Sequence, residues 1–145
     1  MNIAIVISKF NEEITSGLLR GAKQFLEEND VYVRDNDVFE APGAFEIPLI
    51  AQTLARSEHY DGVVCLGCVI KGETAHFEFI SLGATMGIMQ SMLKSKVPIS
   101  FGVLTTYNDE QAIKRSMPDA HNKGREAAAA CLQTLQILDR IRELD

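Results

Sequence analysis

Three stretches of the chain, NIAIVIS (2–8), GVVCLGCVI (62–70) and ISFGVLT (99–105), are nearly continuous in apolar residues. A strand with one wet face alternates apolar and polar side chains, so a strand without a polar side must be covered on both faces. A fourth run, VYVRDNDVF (31–39), does alternate and reads as an edge strand. Between these runs apolar residues fall at helical spacing: Ile14, Leu18, Ala22, Phe25 and Leu26; then Leu49, Ile50, Thr53 and Leu54 behind Pro48; then Phe77, Ile80, Ala84, Ile88 and Met92. A short helix over 108–117 and a longer one over 122–143 follow. Asn11, ahead of Glu12 and Glu13, predicts an N-cap for the first helix. Strand–helix alternation of this kind predicts an α/β fold: a central four-stranded parallel sheet between helices, joined by right-handed crossovers. No repeat, low-complexity run or linker interrupts the 145 residues, so residues 1–145 read as one domain.

Composition removes several function classes. The formal charge is −6, with a pI near 5.1, so no net positive field draws in nucleic acid or an anionic membrane. No run of about 18 apolar residues offers a membrane span. MNIAIVIS reads as a strand rather than a signal peptide, which predicts a cytoplasmic protein. Cys65 and Cys68 have C-x-x-C spacing but lie inside a strand, where a separation of three points the thiols to opposite faces. With no second Cys/His pair nearby they read as core cysteines, and no metal site is expected.

Ligands of parallel sheets bind beyond the carboxyl ends of the strands. Phe10-Asn11, the PGAFE loop (42–46), GETAH (72–76) and the residues after Thr105 all follow strand ends, so they collect on one rim. A strand-to-helix loop offers free backbone N–H groups and the positive end of a helix dipole. Gly72 and Thr74 there read equally as a turn and a cap, or as a cradle for one phosphate monoester; no nucleotide-triphosphate fingerprint is present. His76 falls in the first helical turn, where the dipole favours the neutral ring that can accept a proton. Glu46 reads as a helix-start carboxylate or as an acceptor for sugar hydroxyls, beside a Phe45 expected to be buried. Phe10 reads as a hydrophobic plug or as a face for a planar heterocycle. His59 reads as a surface residue, whereas His121 lies two residues before Lys123; Arg115 and Lys123 bracket RSMPDAHNK.

Taken together, KFN (9–11), PGAFEIP (42–48), GCVIKGETAHFEFI (67–80), VPISFGVLT (97–105), EQAIKR (110–115) and NKG-EAA (122–128, Arg125 between) resemble the lumazine synthase family in order and spacing. The resemblance runs from Ile3 to about Leu138. It implies a flavodoxin-like three-layer αβα sandwich and a homopentamer with sites between neighbouring subunits. It also implies two small-molecule substrates, 5-amino-6-(D-ribitylamino)uracil and 3,4-dihydroxy-2-butanone 4-phosphate, condensed to 6,7-dimethyl-8-ribityllumazine in the penultimate step to riboflavin. No cofactor or metal is implied. By position, the resemblance assigns Phe10 to stack on the pyrimidine and Ala44, Phe45 and Glu46 to hold the ribityl chain. Backbone groups of Cys68, Val69 and Ile70 are assigned to the uracil edge. Glu73, Thr74 and Arg115 are assigned to phosphate, His76 to proton transfer, and Phe101 and Lys123 to completing the pocket from the adjacent chain.

Two departures bear on assembly. Shell-forming members carry an arm ahead of the first strand, where this chain opens at MNIAIVI, and a Gly-Thr-Lys-Ala-Gly-like loop, where it reads SMPDAH (116–121). The expectation is therefore a pentamer, or a pair of pentamers, rather than a 60-subunit shell. Archaeal-type riboflavin synthase shares the fold but binds no phosphate, and GETAH with Arg115 argues against it. A non-catalytic flavin-binding or scaffold pentamer would not need to keep His76, Thr74 and Arg115 together.

Overall fold

A computed structural model describes residues 1–144. The elements alternate as expected: β1 (Ile3–Ser8), α1 (Glu12–Glu28), β2 (Val38–Ala41), α2 (Ile47–Arg56), β3 (Gly62–Ile70), α3 (His76–Ser95), β4 (Ile99–Thr106), α4 (Asp109–Arg115) and α5 (Lys123–Arg142). The four strands form one parallel sheet in the order β2-β1-β3-β4. Ile5, Ile7, Val64, Leu66 and Leu104 pack with Leu18, Leu26, Leu132 and Leu135 on the α1/α5 side. Val6, Val63, Ile99 and Val103 pack with Ile47, Ala51, Ala84 and Ile88 on the α2/α3 side. Two aliphatic layers around one sheet make the three-layer αβα sandwich, and they explain why β1 is buried at every position.

The cysteines obey the alternation rule. Cys65 joins the α2/α3 layer, while Cys68 joins the α1/α5 layer with Cys131. All three are free thiols. Burial raises each thiol's pKa: Cys68 to about 11, with the Asp109 carboxylate adding to the effect, and Cys131 to about 12. Cys65 is pushed up further still.

The second strand is shorter than its alternation suggests. Residues 31–34 lie outside the sheet, Asp35–Asp37 form a single 3₁₀ turn, and only Val38–Ala41 pair with β1. The cause is local: Asp37 accepts hydrogen bonds from the Arg34 amide at 3.3 Å and the Tyr60 hydroxyl at 2.8 Å. Such Asx bonding competes with a ladder and favours a turn. The Tyr60 hydroxyl, with smaller help from Arg34, holds the Asp37 carboxyl below the usual carboxylate range.

Candidate active site

The rim predicted from the sequence is built by strands of unequal length. The pairing of β1 with β3 ends at Ile7 and Leu66, while β3 continues to Ile70 against β4. On its β1 side the last turn of β3 therefore leaves ladder positions open. Asn11 fills one of them, since its Nδ2 donates to the Cys68 carbonyl at 3.1 Å. Asn11 was expected to cap α1 with its side chain. It instead stands in the left-handed region at φ 58° and makes no side-chain cap, a conformation asparagine tolerates better than most residues. The side chain is thereby freed to tie the β1 loop to β3, which sets the position of Phe10.

Phe10, Ala44, Phe45, Glu46, Cys68, Val69, Ile70 and His76 line one cavity of about 350 Å³. Ala44–Glu46 form a single 3₁₀ turn. This turn sends Ala44 into the core and swings Phe45 outward, so Phe45 is 59% exposed rather than buried. Its ring lies over α3, where a Cβ on Gly83 would stand 2.9 Å from the ring edge. Glu46 and Phe10 flank Gly43: a Cβ there would lie 3.2 Å from Glu46 Oε1 and 3.5 Å from the Phe10 ring. A carboxylate and an aromatic face thus border one gap. Phe10 is 68% exposed, which rules out the hydrophobic-plug reading within this chain.

His76 opens α3, which has no side-chain cap at Ala75. Glu73 and Thr74 stand exposed in the preceding loop, where Thr74 Oγ1 accepts a long 3.4 Å hydrogen bond from the His76 amide. Neither turn geometry nor internal packing calls for glycine at 72. Its φ is not positive, and a Cβ would meet nothing within 4 Å. The space beside this loop is open.

The remaining predicted residues sit elsewhere. Phe101, Arg115 and Lys123 line a second groove of about 400 Å³ along the free edge of β4. Arg115 donates to the Gln111 carbonyl at 3.1 Å, and no carboxylate pairs with it among the described residues. Lys123 pairs with Glu126 at 2.7 Å. Glu126 was not anticipated; its i,i+3 spacing from Lys123 was the available signal, and its place in the same groove gives that pair meaning. Asn122, between the two cations, is almost wholly buried. Its Nδ2 donates to the Gly17 and Met117 carbonyls at 3.1 and 2.9 Å, and its Oδ1 accepts from the Arg125 amide at 3.0 Å. It pins the start of α5 onto α1 and so fixes Lys123. His121 is exposed and lines neither hollow, and His59 is exposed as expected.

The first cavity therefore carries rings, a carboxylate, an imidazole and open backbone, but neither lysine nor arginine. The second carries the cations. No group of three or more His, Cys, Asp or Glu residues able to hold a metal ion occurs among the described residues. No helix among them is long and apolar enough to cross a membrane.

Known proteins carry the same sequence pattern. The chain is 65% identical over 141 residues to 6,7-dimethyl-8-ribityllumazine synthase 1 of Caulobacter vibrioides, covering 97% of this chain and 92% of that protein. It is 45% identical over 141 residues to the 6,7-dimethyl-8-ribityllumazine synthase of Nitratidesulfovibrio vulgaris, covering 97% and 90%. It is also 45% identical over 137 residues to that of Pediococcus pentosaceus, covering 94% and 88%. The profile of the 6,7-dimethyl-8-ribityllumazine synthase family matches residues 1–139. The alternating fold, the rim motifs and this match from end to end lead to one assignment: the chain belongs to the 6,7-dimethyl-8-ribityllumazine synthase family.

Proposed function

We infer that the chain condenses 5-amino-6-(D-ribitylamino)uracil with 3,4-dihydroxy-2-butanone 4-phosphate, releasing inorganic phosphate and 6,7-dimethyl-8-ribityllumazine, at sites shared between subunits. The observation that carries the reading is the division of charge. The cavity at the ends of β1 and β3 has no cation, whereas Arg115 and Lys123 lie beside β4 in a groove without a histidine. A phosphate dianion bound beside His76 needs a positive partner, and Lys71, the cation next to this loop in the same chain, sits over the Tyr107 ring. A second copy, docking its β4 edge against the first cavity, supplies one.

In that arrangement the pyrimidine stacks on Phe10, its polar edge meets the open backbone of Cys68–Ile70, and its ribityl hydroxyls donate to Glu46. Phe101 and Lys123 of the neighbour close the pocket. Thr74 and the loop amides of Glu73 and Thr74 hold the phosphate with the neighbour's Arg115. The 5-amino nitrogen attacks the ketone carbon and water leaves, giving a Schiff base. Loss of the proton from the hydroxyl-bearing carbon then expels phosphate and leaves an enol, which tautomerises to a ketone. Attack of the ribitylamino nitrogen on this new carbonyl closes the ring with loss of a second water. His76, at the edge of the cavity, accepts and returns these protons. Alignment of two bound reactants can supply up to about 7–11 kcal/mol, so positioning carries most of the task.

The surface supports association. Phe79, Leu82, Met86, Met89 and Leu93 are exposed on α3 at spacings alternating three and four, the seam of a coiled coil. A helix apolar on both faces is stable in water only when both are covered. We assign this stripe and the β4 edge to subunit packing in a cytoplasmic homopentamer. The test mixes subunits: His76→Ala and Arg115→Ala proteins, each poorly active, are unfolded together and refolded. Partial recovery is expected, because some interfaces then pair an intact histidine with an intact arginine. No recovery despite proven co-assembly would place each site within one chain.

A further inference from the structure

Tyr107 follows β4 directly and is 68% exposed, yet its ring is engaged on two sides. The Lys71 ammonium sits 5.8 Å from the ring centroid, and the Phe77 ring lies 6.2 Å away at an interplanar angle of 47°. Lys71 and Phe77 are the residues that bracket the loop Gly72–His76, the stretch that carries Thr74 and the proton-transfer histidine. Other ties on this loop are few. The Lys71 amide donates to the Thr106 carbonyl at 2.9 Å, the Thr74–His76 bond is long, and a Cβ at Gly72 would meet nothing within 4 Å. No carboxylate competes for Lys71 among the described residues.

Tyr107 is itself anchored. Its amide donates to Gln111 Oε1 at 2.8 Å, and the Thr106 hydroxyl donates to the Asn108 carbonyl at 3.1 Å. A ring fixed to the first turn of α4 thus grips the loop at its entrance by a cation–π contact and at its exit by an aromatic contact. We propose that Tyr107 is a positioning residue which holds Gly72–His76 in the shape that receives the phosphorylated substrate. It acts through Lys71 and Phe77 and touches no reacting atom. The ring makes both contacts, and its hydroxyl makes neither.

This inference rests on the function proposed above, so the test carries one readout that needs no substrate. In the assembled protein, Tyr107→Ala should accelerate amide hydrogen exchange across 72–76 while leaving the strands unchanged. The KM for the phosphorylated ketone and the inhibition constant of inorganic phosphate should each rise about three- to tenfold, the scale of two weak surface contacts. The KM for the pyrimidine should stay put. Tyr107→Phe should restore parent behaviour, and Lys71→Met should give a smaller version of the alanine effect. Unchanged exchange in Tyr107→Ala overturns the proposal, as does an equal rise in both KM values or failure of Tyr107→Phe to rescue. Faster exchange across the loop, with no turnover even by the parent protein, would leave the clamp standing and sink the assigned reaction instead.

Discussion

At the ends of β1 and β3 the molecule presents two rings, a carboxylate, an imidazole and unpaired backbone; beside β4 it presents a guanidinium, an ammonium and one ring. The first region is fixed by main-chain devices, a left-handed asparagine and a 3₁₀ turn. The second is fixed by the buried Asn122 clamp and the Lys123–Glu126 pair. Backbone can read the edge of a flat heterocycle, but it cannot neutralise a dianion. The two chemistries are thus separated within one chain, and in the assembly proposed above an interface reunites them.

The harshest way to break this comparison is to keep subunits apart. Met86→Glu places a carboxylate in the exposed apolar seam of α3 without touching either groove. Dissociation with loss of nearly all activity is expected, while circular dichroism stays that of the parent. A monomer that turned over normally would mean that each chain holds a whole site. Next in size is Arg115→Ala. Truncating one partner of a desolvated charge pair costs about 2–5 kcal/mol, so affinity for the phosphorylated ketone should fall by about 30-fold to a few thousandfold while the pyrimidine binds as before. Calorimetric titration of each substrate separates the two cases, and selective loss of the pyrimidine would reverse the assignment. The mildest of the three is His76→Ala. General acid–base groups contribute about 10²–10⁴-fold, and an amine–ketone condensation between aligned partners sits at the low end. A fall near 10²-fold in single-turnover rate, with binding kept, is expected; complete inactivity of a folded protein would show that proton transfer matters more than alignment.

Much of the frame was legible because burial on two faces leaves an unmistakable pattern. The runs at 2–8, 62–70 and 99–105 became β1, β3 and β4, and the odd spacing of Cys65 and Cys68 put them in opposite layers. The misses share a cause. Alternation over 31–39 cannot reveal that Asp37 prefers Arg34 and Tyr60 to a strand partner. Phe45 has a core residue's composition but sits in a turn that points it outward. Asn11 has a cap's composition and an unrelated use. Periodicity also reported the buried side of α3 while passing over Phe79, Leu82 and Met86 on the other. Spacing shows that an apolar residue seeks cover and is silent on which molecule provides it. The membership of the rim followed from topology; its split into a half without cations and a cationic half did not, because that needs the width of the sheet as well as its direction.

The buried thiols carry a practical meaning. With Cys65, Cys68 and Cys131 all buried and their pKa values raised, a thiol-directed alkylating or disulfide-exchange reagent finds no accessible thiolate among the described residues. Cys65 and Cys68 lie within β3, an inner strand of the sheet, and Cys131 lies on the buried face of α5, so exposing their side chains requires the layers to part. Thiol labelling of this protein is therefore a clock for opening of the sandwich, with three hands that read its two sides separately.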